Sequence, residues 1–420
     1  MKEESMIQKC LLVFLFFIAI GFSPPASYGV TENEVIIGLN VPLSGPYALQ
    51  GKDQIDAYAL AKQEIDQQGG ILGRKIRYLV ADSQSNPEVA VKNVRQFIDQ
   101  GVDMVTGGSS SGVAIAVSKL CQEKKKLFLA TLTYSNDTTG KDAHRHTFRE
   151  TYNAWMGAKA LGHHLRRNFA NKKYFYVTAD YSWGWTTRDS LKKFTSTEDA
   201  ADVLIPLGEP LGSPLYRNAI QKAVDEKAEV LVLVLFGRDM IAGLRQAIDL
   251  GAKQNMQIVV PNLEMHMTMG APDHPISNVL GALPWYWEIP YKYNFEKGIK
   301  FVEAFRTRYG KPSCSGGATA YTNIMLYKWA VEEVKSFDPR QIIPILEGHS
   351  FIGLKDKEII RPWDHQTVQS VYIVRGRKAE EMKSMWHVFE VLEAFQGDKV
   401  VEALAPTMEE NPVRLEPLDR

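Results

Sequence analysis

The chain reads as an α/β protein built on doubly wound parallel sheets, and three observations predict this. Between residues 35 and 111 one unit is written almost twice: an apolar strand run over 35–41, a helix carrying Ala57, Leu60, Ala61 and Ile65 at helical spacing, a strand over 76–81, a helix over 89–98 and a strand over 102–106. The same alternation restarts after Arg149. The composition, 45% hydrophobic and 23% charged over 420 residues, is that of a globular chain with room for two cores. Alternating strands and helices imply parallel pairing, since each crossover helix returns the chain to begin the next strand in the same direction.

Each element has its own warrant. Residues 35–41 are nearly all apolar, as a strand covered on both faces must be. Pro42-Leu-Ser-Gly-Pro46 turns the chain, and Gly69-Gly70 stops the first helix. The third strand opens into Gly107-Gly-Ser-Ser-Ser-Gly112, and a fourth over 127–131 ends in Leu132-Thr-Tyr-Ser-Asn-Asp137. Beyond Arg149 the reading is a helix over 155–165, a strand over 173–178, a turn over 179–185 and a helix over 188–194. Strands follow at 202–205, 230–235 and 258–260, with helices over 215–226 and 240–250 between them. Residues 279–286 read as a further strand, 295–309, 318–337 and 340–346 as helices, 367–375 as the last strand, and the acidic stretch from Glu409 as a frayed tail. In such sheets ligands sit at the carboxyl ends of the strands, which here are the loops 42–51 and 107–112.

Lys2 and Lys9 precede an apolar run over 10–22, and small residues including Ser27 and Gly29 follow it. This is the pattern of a cleaved export signal over residues 1–29, too short for a comfortable membrane span; an uncleaved anchor is the alternative. Cys10 begins the run rather than ending it, which speaks against acylation. The formal net charge is zero, so a nucleic-acid partner, which would want a basic face, is not expected. Cys121 and Cys314 remain after cleavage and allow one disulfide without implying it.

Several groups could carry chemistry. Gly108-Ser109-Ser110-Ser111-Gly112 satisfies the spacing of a hydrolase nucleophile elbow, in the right strand-to-helix context. The reading that needs less is a helix N-terminus whose free N–H groups and the hydroxyls of Ser110 and Ser111 receive a carboxylate or an amide carbonyl. Tyr181, Trp183 and Trp185 crowd one strand-end loop and form a candidate stacking wall, with Trp183 foremost and Tyr47 in the first loop as a further candidate. In Trp285-Tyr-Trp287, strand alternation would send either Trp285 or Tyr286 to a cleft. The histidine pairs lack partners at ligand spacing, so neither a metal nor any other cofactor is expected, and no phosphate- or dinucleotide-binding glycine loop is present.

The order and spacing of these motifs resemble the substrate-binding proteins of ABC transporters for branched-chain amino acids, amides and related solutes. The resemblance covers roughly residues 34–375 and rests on Pro42-Leu-Ser-Gly-Pro46, Gln68-Gly-Gly-Ile-Leu-Gly-Arg74, Asp82-Ser with Asn86-Pro, Gly107–Gly112, Thr147-Phe-Arg149, Asp180-Tyr-Ser-Trp-Gly184 and Asp364-His-Gln366. It implies the type I periplasmic binding protein fold, in which two lobes are joined by a three-crossing hinge and close around a ligand. The crossings would fall at 149–153, 262–269 and 354–366. The first lobe would then be residues 30–150 plus 270–355, the second 151–269 plus 356–410, and 411–420 a tail. The resemblance also implies that Tyr134 and Ser135 meet the ligand. Asn262 stands where amino-acid binders carry an acid for the α-ammonium, with Glu264 two residues on, so an amide or an aromatic or aliphatic carboxylate competes with an amino acid as ligand. The expected partners are a small solute and the membrane permease of an importer, the location periplasmic, the state monomeric, and no bond in the ligand is changed. A secreted serine hydrolase using the 108–112 turn and a ligand-sensing receptor domain stay open as alternatives.

Overall fold

The computed structural model describes residues 33–268 and 276–418; the export segment read at 1–29 lies outside them. β1 (Glu34–Val41), α1 (Ala48–Gln67), β2 (Lys75–Asp82), α2 (Pro87–Asp99), β3 (Met104–Gly107), α3 (Ser111–Glu123), β4 (Leu127–Ala130) and β5 (Thr147–Arg149) build the first lobe's sheet and most of its cover. Its strands run parallel in the order β2-β1-β3-β4-β5. The apolar run of β1 is explained by its burial on both faces. Ala57, Leu60 and Ile65 of α1 pack on one side, together with helices from residues 296–346, and Val94, Phe97, Val113 and Val117 of α2 and α3 pack on the other.

The chain continues through α4 (Ala154–Asn168), β6 (Tyr174–Ala179), α5 (Ser182–Thr195), β7 (Ala201–Ile205), α6 (Pro214–Asp225), β8 (Val230–Val234), α7 (Gly237–Asp249), α8 (Ala252–Asn255), β9 (Gln257–Val260) and β10 (Leu280–Leu283). α9 (Ile289–Tyr293) still packs on the second lobe's core, and the chain returns to the first lobe with α10 (Glu296–Tyr309), α11 (Ser315–Val334) and α12 (Pro339–Leu346). A small antiparallel sheet of β11 (Ser350–Ile352), β12 (Lys357–Ile360) and β13 (Thr367–Val368) follows. β14 (Val371–Gly376), β15 (Phe389–Phe395) and α13 (Asp398–Leu404) then complete the second lobe. The second sheet runs β15-β14-β10-β9-β8-β6-β7, parallel except at the antiparallel β14 and β15. In both sheets the strand order reverses beside the first strand, at β1/β3 and at β6/β8, and these switch points are where open α/β sheets form their crevices.

Several expectations are corrected. Residues 280–283 were expected in the first lobe, but β10 pairs with β9 and β14, so the second crossing falls after Leu283 rather than at 262–269. Residues 357–360 were expected in the second lobe, but they pair within the small sheet, and Ile360 is buried in the first lobe's core. The helix expected at 188–194 begins at Ser182. The tail is anchored rather than frayed: Asn411 Nδ2 donates to Thr139 O at 3.0 Å, and Glu416 meets His144 Nδ1 at 2.7 Å. Cys121 and Cys314 are free thiols buried in different clusters.

Candidate functional site

Three adjacent strand ends of the first lobe supply one wall. After β1, Tyr47 caps α1; after β3 comes the Gly107–Ser111 turn; after β4 come Tyr134 and Ser135. The turn needs its glycines. Gly107 and Gly108 have φ of +114° and +133°, and a Cβ there would lie 2.4 Å from Asn40 O and 2.6 Å from Thr131 O. This close fit draws the serines down between β1 and β4. Ser110 Oγ accepts from Val113 N at 3.4 Å as the N-cap of α3, whereas the hydroxyls of Ser109 and Ser111 are buried without a partner. Ser110 has extended backbone (φ −108°, ψ 162°), unlike the strained turn of a nucleophile elbow.

The second lobe answers with its own switch point. Tyr181 caps α5 after β6, Trp183 lies in the first turn of α5, and Phe236 caps α7 after β8. Phe236 is the hub: its ring centroid lies 5.5 Å from Tyr47, 5.9 Å from Tyr134 and 5.8 Å from Trp183. These are edge-on or tilted contacts at the separations aromatic pairs prefer. Tyr181 stands 6.0 Å from Trp183, and Tyr152 stands 5.5 Å from Tyr134.

Hydrogen bonds join the lobes around this hub. Tyr47 and Tyr181 share one at 2.8 Å. Ser182 Oγ donates to Asp137 Oδ2 at 2.6 Å and so receives the proton of Ser135 Oγ, 2.5 Å away. Tyr134 OH donates to Glu264 Oε1 at 3.1 Å, and Tyr152 OH to Asn262 Oδ1 at 3.0 Å. Asn262 Nδ2 and Glu264 Oε2 are buried without partners. Burial, reinforced by the nearby Asp53 carboxylate, pushes the Glu264 carboxyl up to about 8. Burial likewise lifts the Tyr134 and Tyr152 phenols well above their ordinary value, which keeps both as neutral donors.

Of the residues singled out from sequence, Tyr47, Tyr134 and Trp183 converge on Phe236, and Tyr181 packs on Trp183. Ser135, Asn262 and Glu264 bond to neighbouring residues of the same region, and Ser110 and Ser111 lie on the adjoining turn. Trp185 turns outward, its indole N–H donating to Asp180 Oδ1 at 2.9 Å. Trp285 is corrected: it packs 5.9 Å from Phe301 in the first lobe's core, with its N–H on Ser313 O. Tyr286 is equally buried, with its hydroxyl on Trp386 O at 2.7 Å. Phe236, Tyr152, Ser109 and Gly237 were missed. Phe236-Gly237 follows an apolar strand run just as Tyr181 does, and that position was the available signal.

Residues 34–381 match the model of the periplasmic binding protein family, and the chain belongs to that family. The family is one of binding proteins rather than of enzymes. Within the family the chain is similar to the Leu/Ile/Val-binding protein BraC3 of Rhizobium johnstonii, 29% identical over 195 residues that cover 45% of this chain and 51% of the relative. The chain thus spans about half the length of that relative. A periplasmic binding protein from Burkholderia mallei shares the fold with a TM-score of 0.81 at 21% identity, covering 91% of this chain and 99% of the other. A solute binding protein of an ABC transporter from Rhodopseudomonas palustris, in complex with 3,4-dihydroxybenzoic acid, has a TM-score of 0.75 at 18% identity, covering 87% and 98%. These likenesses establish the type I periplasmic binding protein fold.

Proposed function

We propose that the chain is an exported, monomeric receptor that encloses a small carboxylate or amide with an aromatic or aliphatic body. It would then hand that solute to the permease of an ABC importer. One observation carries the reading: two sheet switch points face each other, one bringing the unpartnered hydroxyls of Ser109 and Ser111, the other the rings of Tyr181, Trp183 and Phe236. Hydroxyls and free helix N–H groups suit the polar head of such a solute, and the rings suit its body. Enclosure excludes water, which strengthens each polar contact. The aromatic acid held by the Rhodopseudomonas neighbour supports this class. The residues 1–29, read as a cleaved signal, would place the receptor in the periplasm.

An α-amino acid is the second reading, favoured by the Leu/Ile/Val-binding relative and by the unpartnered Glu264 Oε2, which could receive an ammonium group. Calorimetry against benzoates, short amides and branched-chain amino acids separates the two. Saturable binding of an acid or amide with the amino acids silent supports the first reading, and the converse pattern supports the second. Silence across the whole panel together with fluorophosphonate labelling of Ser110 would return the hydrolase.

A further inference from the structure

We propose that Asp53, His266 and Cys314 form a site for a zinc ion that latches the two lobes together. Donor atoms of the three side chains lie within 4.8 Å of one another. Tetrahedral zinc sits about 2.0–2.3 Å from its nitrogen, oxygen and sulfur ligands and so holds them about 3.3–3.8 Å apart; side-chain shifts of about 1 Å would bring all three onto one ion. The donors come from separate places. Asp53 is in the second turn of α1 and Cys314 is the N-cap of α11, both in the first lobe, whereas His266 lies on a short helical turn between β9 and β10 of the second sheet.

The three groups are buried. Their exposures are 0%, 3% and 3%. Asp53 Oδ2 accepts from Ser313 Oγ, Cys314 N and Gly317 N, each at 3.0 Å, which fixes the carboxylate beside the thiol. Asp53 Oδ1 and His266 Nδ1 have no hydrogen-bond partner, and Cys314 is a free thiol. A buried polar atom left unpaired costs on the order of 1–3 kcal/mol, so such atoms gathered at one point ask for a ligand. The neighbouring ammonium of Lys311 is held by Asp56 at 2.8 Å. A thiolate, an imidazole and a carboxylate together suit zinc rather than magnesium or calcium, which prefer oxygen throughout.

On binding, the Cys314 sulfur takes up the ion and its proton passes to solvent; no electron moves. Opening the lobes would part His266 from the other two ligands, so the ion favours the closed arrangement. The test needs no solute, and its failure leaves the receptor reading standing. The full chain, stripped with a chelator, is titrated with zinc chloride alone in two buffers of different ionisation enthalpy. The expected result is one zinc per chain, proton release, and a contraction of the X-ray scattering profile. Cys314→Ser and His266→Gln each weaken uptake by about 100-fold or more, beyond what loss of a supporting partner costs. Cys121→Ala, which changes the other free thiol, retains uptake. Absence of zinc on the wild-type chain, binding without contraction, or undiminished uptake in either folded variant overturns the proposal. If neither variant folds, the wild-type stoichiometry and scattering decide.

Discussion

The hydroxyls of Tyr47 and Tyr181 meet at 2.8 Å although their residues cap helices that follow strands of different sheets. Tyr47 is buried and Tyr181 half-buried, so water competes only partly for the contact. Tyr47→Phe keeps the ring against Phe236 and removes only this bond, worth about 1 kcal/mol. Solute affinity should fall about 5-fold with the denaturation midpoint nearly unmoved; equal affinity by calorimetry would separate the bond from closure.

Ser111 supplies a hydroxyl that the fold itself does not use. Ser111→Ala should therefore leave the urea midpoint unchanged or slightly raised. It should cost roughly 10-fold in affinity for a carboxylate, the scale of a hydrogen bond to a charged group. Wild-type affinity in this variant removes the turn from the site.

Gly237 is the clearance point between the lobes. Its φ is +59°, and a Cβ there would stand 2.7 Å from Tyr47 Cδ1 and 2.8 Å from Pro46 O. Gly237→Ala should prop the lobes apart, adding backbone strain on the order of 1 kcal/mol and lowering affinity about 10-fold or more. Small-angle scattering should show a more open average shape; a profile identical to wild type at saturating solute counts against this role.

Arg149 joins the first and third crossings, with Nε on Gln366 Oε1 at 2.7 Å and its other nitrogens on Ser135 O, Thr133 O and Thr139 Oγ1. Truncation to alanine leaves several buried acceptors unpaired and should destabilise the fold by about 3–5 kcal/mol. Urea denaturation measures it, and a loss below about 1 kcal/mol would mean that the network reorganises.

Near the hinge, Glu358 is buried 3.7 Å from Lys355, and burial raises its carboxyl well above the ordinary 4.5, with Lys355 opposing and Glu150 adding to the rise. Between the two values the folded chain holds a proton that the unfolded chain has lost. The contribution is fully present below about pH 4.5 and is lost as pH rises from there through the folded value. Melting temperature should decline over that window, and Glu358→Gln should flatten the decline. Parallel curves for the two proteins would remove Glu358 as the cause.

Much of the fold was legible because a strand buried on both faces cannot hide its composition: 35–41, 174–179 and 230–234 are apolar runs bounded by turn residues. Other elements gave a misleading signal. The start of α5 read as a turn because of Gly184, yet that glycine is there for packing, since a Cβ would lie 1.9 Å from Ala179 O. β15 was missed because it is a half-exposed edge strand reached by a long connection from β14.

By itself the sequence determined the alternation of strands and helices, the parallel sheets, and the loops at which a ligand would be met, because these follow from local periodicity and turn chemistry. Only the tertiary structure decided which side chains share the gap. Phe236 becomes the hub for three other rings, Trp285 is withdrawn into a core, and Asp53, His266 and Cys314 come together across more than two hundred residues of chain. Such meetings depend on how two sheets face each other across a hinge, and no window of local sequence encodes that geometry.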